Sequence, residues 1–272
     1  MKILKTMCYS IHKLFLLSLV LTSCHTGKLK LIANLPNSLK EASAIEKVAH
    51  SDLLWTIEDS GNKNHIYGLD LNGKIVKDID INNASNIDWE DLTSDPSGNL
   101  YIGDFGNNSK NRDAFTIYKI TDLKSNKTTA EIIHFVLPKK VKPKDFEAFF
   151  LFDDHFYIFS KENKSSTLLK VPNKTGKHTA KLVTQFNLKS KRKKITSADI
   201  SNDGKTVVLL THDRLWKITN FESDIFFKGT IEVLTFDHSS QKEGICFKNN
   251  NTVYITDERN KSEGGNLYEF KL

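Results

Sequence analysis

The sequence has little cysteine, methionine or proline, with 3 Cys, 2 Met and 5 Pro among 272 residues. So few cysteines exclude a disulfide framework, and the chain is long enough to bury a core without one. The charged fraction of 26% and the hydrophobic fraction of 39% exclude an extreme, disordered composition. Phenylalanine, in contrast, occurs 17 times, and this aromatic content favours strands over helices.

The sequence also lacks a long hydrophobic run. The apolar stretch Leu14 to Leu21 is too short to span a membrane. Three lysines and no acidic residue precede Cys24, as in a secretory signal peptide. The stretch ends in Leu21-Thr22-Ser23-Cys24, which resembles the lipobox of bacterial lipoproteins. That resemblance implies cleavage before Cys24 and acylation of its thiol, which would anchor the chain in a lipid bilayer. The alternative is ordinary secretion with cleavage after a small residue.

These features divide the chain into three parts. Residues 1–23 are expected to be a lipoprotein signal peptide, residues 24–28 a lipidated Cys24 with a short tether, and residues 29–272 a single domain. Removing residues 1–23 lowers the formal net charge from +6 to +3, so no nucleic-acid partner is expected. The tether has no acidic residue, which favours the outer membrane facing the periplasm. We expect a monomer.

A repeat of roughly fifty residues runs through the proposed domain. Each unit begins with a polar residue, forms an apolar strand, turns, and forms a second apolar strand that ends in acidic or polar residues. Turn sequences at Asp95–Asn99 and Asn202–Lys205 fall at matching places and are typical of hairpins. The five units begin at Ser43, Glu90, Glu147, Ser197 and Glu243.

Two more short strands follow each pair, except that the fifth unit ends at Leu272 without its fourth strand. The segment Leu29–Leu35 lies upstream of the first unit and can supply it. Four strands at this period are typical of a propeller blade, and closing the ring with the two chain ends would remove open sheet edges. The sequence therefore predicts an all-β, five-bladed β-propeller. A six-bladed ring, a sandwich or a solenoid is the alternative.

The first strand of each blade runs along the central axis of a propeller, so the residues that open these strands converge at one mouth of the channel. Three carboxylates and two hydroxyls would meet there and would need a counter-charge. Oxygen ligands from separate strands suit Ca²⁺. The predicted metal ligands are Ser43, Glu90, Glu147, Ser197 and Glu243. The alternative is a water-filled channel with solvated or lysine-paired carboxylates.

The second strands are expected to end at the same face and to contribute ligand-binding side chains. Two lysine-rich loops, 138–144 and 189–194, return there and would favour an anionic small molecule or an acidic glycan. A plain solvated loop, or attraction to anionic lipid, is the alternative. The candidate ligand-binding residues are Glu58, Asp104, Lys161, Asp257 and Arg259.

Two motifs carry a resemblance to known proteins. The segments Asp88 to Leu92 and Tyr101 to Asn108 are similar to those of bacterial secreted propellers of undetermined function. More distantly, the Ser, Glu, Glu, Ser, Glu order of the inner strands resembles that of the five-bladed calcium-activated nucleotidases, which implies a central Ca²⁺. The sequence departs from the nucleotidases at Ser160–Asn163 and Gly103–Gly106, so the metal site is expected to carry over without nucleotide hydrolysis.

Two functions follow from these features. The first is a binding propeller on the cell envelope, with a metal at the channel mouth. The second is a Ca²⁺-dependent hydrolase of an anionic, phosphorylated substrate, in which the metal held by the three glutamates polarises substrate or water. Asp104 or Asp257 would then be the base. No Ser–His–Asp arrangement, zinc-ligand spacing or phosphate-binding glycine loop occurs in the sequence.

Overall fold

The computed structural model describes residues 26–190, 193–261 and 263–272. In these residues the chain forms five sheets arranged as the blades of a ring, with almost no helix. No helix within them has the length and apolarity needed to cross a membrane. The predicted signal peptide and Cys24 lie outside the described residues.

The strands follow the predicted repeat, and each blade is a mainly antiparallel sheet numbered here in chain order. Blade 1 contains Leu54–Thr56, His65–Leu69 and Ile75–Ile81. Blade 2 contains Trp89–Ser94, Leu100–Asp104, Ala114–Ile120 and Glu131–Val136. Blade 3 contains Phe146–Phe152, His155–Ser160, Ser166–Pro172 and Lys181–Phe186. Blade 4 contains Ser197–Ile200, Thr206–Thr211, Arg214–Thr219 and Thr230–Phe236. Blade 5 contains Lys242–Asn249, Thr252–Asp257, Asn266–Lys271 and Lys30–Asn34.

The two ends of the domain close the ring. Lys30–Asn34 pairs antiparallel with Asn266–Lys271 and becomes the outer strand of blade 5, with Leu31 opposite Tyr268. The predicted five-bladed β-propeller with an N-terminal closing strand is therefore confirmed. Without this pairing, blade 5 would present an open edge to solvent.

Short parallel strands cover three outer edges. Lys127–Thr128 pairs with blade 1, Gly176–Thr179 with blade 2, and Thr26–Gly27 with blade 4. Each lies just before the fourth strand of the next blade, so every one of these connections also ties two neighbouring blades together. At blade 3, a 3₁₀ turn, Phe226–Lys228, takes this place, and Phe227 stacks on Phe186 at 3.8 Å between ring centroids.

The core lies between neighbouring blades and uses most of the aromatic residues. Phe146, Phe149 and Phe156 of blade 3 pack with Phe115 and Tyr101 of blade 2. The ring pairs Phe115 with Phe146 and Tyr101 with Phe156 have centroids 5.6 and 5.1 Å apart. Large flat side chains fill the wedge-shaped space between twisted sheets and bury much apolar area. The abundance of phenylalanine therefore reflects the packing between blades.

Buried hydrogen bonds join the inner strands across blades. The carboxylate of Asp91 in blade 2 accepts bonds from the Phe149 amide of blade 3 at 3.1 Å and the Ser197 hydroxyl of blade 4 at 2.9 Å. The Ser197 hydroxyl oxygen in turn accepts from the Ile245 amide of blade 5 at 3.1 Å. This chain of bonds fixes four blades relative to one another around the axis.

Candidate metal-binding cavity at the channel mouth

A β-bulge near the start of the inner strand turns a glutamate out of the regular ladder in blade 2. Trp89 pairs with Asp104 and Asp91 pairs with Gly103, so Glu90 is an extra residue without a partner across the sheet. A bulge of this kind bends the strand and re-aims the side chain of the extra residue. The same offset recurs at the equivalent residues of blades 3 and 5, Glu147 and Glu243.

Blade 1 has a related irregularity. Its inner segment is joined to the next strand by two isolated bridges, Ala42 to Glu58 and Glu46 to Trp55. Three residues lie between the bridges on the inner segment and two on the other strand, so one residue is again in excess. Ser43 lies in this region, and its hydroxyl donates to the Trp89 carbonyl at 3.3 Å.

Ser197, the fifth predicted metal ligand, differs from these four residues. It pairs in regular register with Leu210, and no offset occurs in the paired residues of that strand. Its hydroxyl lies in the blade-to-blade hydrogen bonds with Asp91 and Ile245. The structure therefore places Ser197 within the packed ring, away from the channel mouth.

A cavity of about 220 Å³ opens at the mouth of the channel. It receives the bulged glutamates of blades 2, 3 and 5, together with acidic residues that follow second strands of blades 1 and 5. The lining residues are Ser43, Asp59, Glu90, Asn108, Glu147, Lys161, Gln241, Glu243 and Glu258. Four of the five predicted metal ligands thus meet in one cavity.

The carboxyl groups of Glu90 and Glu147 are buried in one acidic cluster. Glu90 is 5% exposed and Glu147 is 3% exposed. Oxygens of both lie within 4.8 Å of an oxygen of Asp145. Burial raises the pKa of Glu90 well above its usual value, and the negative charge of Glu147 adds to this. Burial also raises the pKa of Glu147, to about 8. A cation bound beside such carboxyl groups favours their charged form, so their protons are released to solvent.

Lys161 is the one ammonium group among the described residues that line the cavity. Its Nζ lies 2.8 Å from Glu147 Oε2. Burial lowers the pKa of Lys161, but the charges of Glu243, Glu147 and Glu90 outweigh burial and raise it above the usual value. Lys161 is therefore charged, and it supplies part of the counter-charge that the acidic cavity requires.

A second group of three carboxylates adjoins the first. One oxygen from each of Asp59, Asp88 and Glu90 lies within 4.8 Å of the others. Burial, with a contribution from Asp59, raises the pKa of Asp88 to about 6. The backbone of Gly106 lies directly beneath this group, because a Cβ atom there would come 2.0 Å from Glu90 Oε1 and 2.5 Å from Asp88 Oδ2. The absence of a side chain at residue 106 leaves room for both carboxylates.

The predicted ligand-binding residues fall into two groups. Lys161 lines the cavity, whereas the other four do not: Glu58, Asp104, Asp257 and Arg259. Asp59 and Glu258, which follow Glu58 and Asp257 in the sequence, line the cavity instead. Burial, with the charge of Glu243 next in importance, raises the pKa of Glu258 to about 8.

Asp104 and Asp257 instead hold the ends of their strands. Asp104 is fully buried and forms an ion pair with Arg112 at 3.0 Å. Asp257 accepts hydrogen bonds from Ser240 at 2.5 Å and from Tyr268 at 3.1 Å. Both carboxylates are therefore engaged in structural contacts and are poorly placed to act as bases toward a molecule in the cavity.

Arg259 and His212 follow the second strands of blades 5 and 4. The Arg259 guanidinium donates to the Leu35 carbonyl at 2.9 Å, which ties the end of blade 5 to the closing strand. His212 Nε2 lies 3.2 Å from Glu243 Oε1, so this histidine contacts one of the bulged glutamates from the side.

Sequence reasoning missed Asp88 and Asp145 as members of the acidic clusters. Both belong to an Asp-aromatic-Glu tripeptide, Asp88 to Glu90 in blade 2 and Asp145 to Glu147 in blade 3. The repetition of this tripeptide at the same point of two blades is the signal that could have identified them.

Comparison with family models decides the relationship of the chain. The model described as SdiA-regulated matches residues 28–262. The chain belongs to the SdiA-regulated family. No curated protein matches it. The resemblance to calcium-activated nucleotidases remains a prediction.

Two similar solved structures share the fold of this SdiA-regulated propeller at low sequence identity, and a third has a TM-score below 0.5. The PQQ-bound aldose sugar dehydrogenase of Streptomyces coelicolor has a TM-score of 0.56 and 10% identity, covering 90% of this chain and 98% of that one. A chain of a nidogen/laminin complex has a TM-score of 0.51 and 12% identity, with 80% and 73% covered. A gluconolactonase of Xanthomonas campestris has a TM-score of 0.48 and 10% identity, with 83% and 70% covered.

The donor set of the SdiA-regulated propeller suits a hard divalent cation. Carboxylate and hydroxyl oxygens surround the cavity, and no histidine or cysteine is among the described residues that line it. Oxygen-only sites of this kind favour Ca²⁺ or Mg²⁺ over zinc or copper.

Proposed function

We propose that this SdiA-regulated propeller binds Ca²⁺ at its channel mouth and uses it to hold an anionic ligand at the top face, on the cell envelope. The single observation that carries this proposal is the convergence of three bulged glutamates on one cavity. Bulges that turn Glu90, Glu147 and Glu243 toward the same axis have no role in the hydrophobic core. They bring together carboxyl groups whose charged form a bound divalent cation would stabilise.

The number and spacing of the carboxylates favour Ca²⁺ over Mg²⁺. Ca²⁺ accepts six to eight oxygens in flexible geometry, whereas Mg²⁺ demands a near-ideal octahedron and retains several waters. Glu90, Glu147 and Glu243 would be the principal ligands, with Ser43 and Asp59 at the edge of the cavity. When bound, the cation would supply positive charge to which a ligand anion can attach.

The surroundings of the mouth support an anionic ligand. Asn107 donates a hydrogen bond to the Lys144 carbonyl at 3.0 Å, so the lysine-rich loop 138–144 runs beside the cavity. Lys139 and Lys140 of this loop are exposed. A phosphate ester or an acidic glycan could contact these ammonium groups and the metal together.

Attachment to a membrane through Cys24 is the second part of the proposal. The tether is short, so an acylated Cys24 would hold the propeller close to the bilayer, on the outer membrane facing the periplasm, as a monomer. Metabolic labelling with radioactive palmitate would test it. We expect label in the wild type and none in Cys24→Ser, whereas labelled Cys24→Ser would contradict the proposal.

Calorimetric titration and thermal unfolding test the metal. We expect 1 mM Ca²⁺ to raise Tm by about 5 °C or more relative to chelator if Kd is about 10 μM. Glu90→Gln should lose most of this rise, and Glu131→Gln, an exposed glutamate of the same blade, should keep it. A Tm that is the same with Ca²⁺ and with chelator would contradict the proposal.

Hydrolysis of an anionic, phosphorylated substrate is the second candidate function, and the pKa of Glu258 favours it. A carboxyl group with a pKa of about 8 in a cation-binding cavity can accept a proton from water near neutral pH. Glu258 replaces Asp104 and Asp257 as the candidate base. Phosphate release from nucleotides and sugar phosphates, compared between wild type and Glu258→Gln in Ca²⁺, would separate the two functions, because a binding protein gives no release in either.

A further inference from the structure

A second cavity lies on the outer part of blade 2, away from the channel mouth. Its volume is about 650 Å³, within the range of small-molecule sites. The outer strands Ala114–Ile120 and Glu131–Val136, the parallel strand Gly176–Thr179, and Ile87 form its walls. None of the described residues that line it also lines the metal cavity.

Part of this groove is apolar. Ile87 is 58% exposed and Val136 is 44% exposed. His134 and Val136 alternate with the buried Phe135 along their strand, so the rings of Phe135 and its partner Phe115 lie on the opposite face of the sheet, in the core. These two rings pack against each other with centroids 5.4 Å apart. A ligand with an aromatic or aliphatic body would cover the exposed side chains and remove apolar area from water.

The face that carries Val136 also presents hydrogen-bond donors in a fixed arrangement. His134 and Lys177 are direct partners on parallel strands, so their side chains emerge on the same face. His134 Nδ1 lies 3.1 Å from Thr116 Oγ1. If the hydroxyl donates to Nδ1, the neutral ring carries its proton on Nε2, which is then a donor.

The groove has an excess of positive charge. Its lining includes the cationic side chains of Arg112 and Lys177, and no acidic residue is among the described residues that line it. Arg112 is neutralised by its ion pair with Asp104. No ion pair of the described residues involves Lys177, so its ammonium group is available to an anion.

We propose that this groove binds a small organic anion with an apolar body. Its carboxylate, sulfonate or phosphate would contact Lys177 Nζ and the ring of His134, while the body covers the exposed side chains of Ile87 and Val136. The proposal is independent of the metal site, because the two cavities share no lining residue.

Fluorescence titration with 1-anilinonaphthalene-8-sulfonate tests the groove, since this probe combines an aromatic body with one sulfonate. The test variant combines Lys177→Gln and His134→Gln. The control variant is Lys174→Gln, which replaces an exposed lysine three residues before Lys177. N-phenyl-1-naphthylamine has the same body without the charge. The titrations are made with chelator, and thermal unfolding checks that every variant is folded.

We expect saturable binding of the sulfonate to the wild type and to Lys174→Gln. The double variant should bind at least tenfold more weakly, and the uncharged amine should bind the wild type at least tenfold more weakly than the sulfonate. Equal affinity in all three proteins, preference for the uncharged probe, or no saturable binding would each overturn the proposal. Failure of the Ca²⁺ titration would leave this result unchanged, so the two proposals are tested separately.

Discussion

Gly106 lies against the carboxylate of Glu90, and a Cβ atom at residue 106 would come 2.0 Å from Glu90 Oε1. A methyl group cannot fit at that distance, so Gly106→Ala should displace Glu90 and weaken Ca²⁺ binding at least tenfold. Calorimetric titration measures this loss.

A double-mutant cycle on thermal unfolding provides the control for Gly106→Ala. Removing the Glu90 carboxylate as well should restore part of the stability lost, because the two side chains no longer compete for one space. Strictly additive effects on stability would show that the contact between them is not the cause.

The stability of the metal-free protein should fall as pH rises from about 5 to 8. Burial raises the pKa of Glu147 from 4.5 to about 8, so the folded state binds more protons than the unfolded state within that interval. The stability that this group contributes is complete below pH 4.5 and is lost as pH rises through 8. Chemical unfolding at several pH values, with chelator present, measures the slope.

Two variants distinguish the contribution of Glu147 to this pH dependence from the contributions of other acidic groups. Glu147→Gln should flatten the decline, since the amide does not ionise, whereas Glu222→Gln, an exposed control, should leave it unchanged. A wild-type stability that rises from pH 5 to pH 8 would mean that Glu147 is ionised throughout.

Replacing Lys161 by methionine should strengthen Ca²⁺ binding and weaken the metal-free fold. The ammonium group lies 2.8 Å from Glu147 and competes with a cation for the same carboxylates. Above about pH 8, where Glu147 is ionised, loss of one partner from this buried ion pair costs on the order of 3 kcal/mol in the free energy of unfolding. Titration calorimetry and urea unfolding measure the two effects, with exposed Lys164→Met as the control. Weaker Ca²⁺ binding in Lys161→Met would instead indicate that Lys161 holds the carboxylates in position for the cation.

Asp91→Ala should be among the most destabilising substitutions in the inner strands. It would leave the buried amides of Phe149 and Ala198 and the hydroxyl of Ser197 without their acceptor. Unpaired buried donors cost about 1–3 kcal/mol each, so we expect a loss of roughly 3 kcal/mol or more in urea unfolding. Exposed Asp52→Ala should change stability by less than about 0.5 kcal/mol, and an equally small effect of Asp91→Ala would contradict this role.

The repeat made the propeller predictable, because hairpin turns and alternating apolar residues are local signals. Convergence of Glu90, Glu147 and Glu243 also followed from their equal positions in the repeat. The sequence could not distinguish Ser197 from them, because the difference is a bulge, and a bulge depends on the pairing of two strands. The prediction also named Glu58 and Asp257, whereas the next residues in sequence, Asp59 and Glu258, line the cavity. This error of one residue has the same origin, since a shift of one residue turns a side chain to the other side of a strand.

The pairing of Lys30–Asn34 with Asn266–Lys271 has a consequence for synthesis. The first strand of the domain has no partner until nearly the whole chain has been made, and the acidic cavity draws on blades 1, 2, 3 and 5. A nascent chain therefore cannot assemble the cavity, and the proposed cation binding would have to wait until the last strand is made and the ring closes.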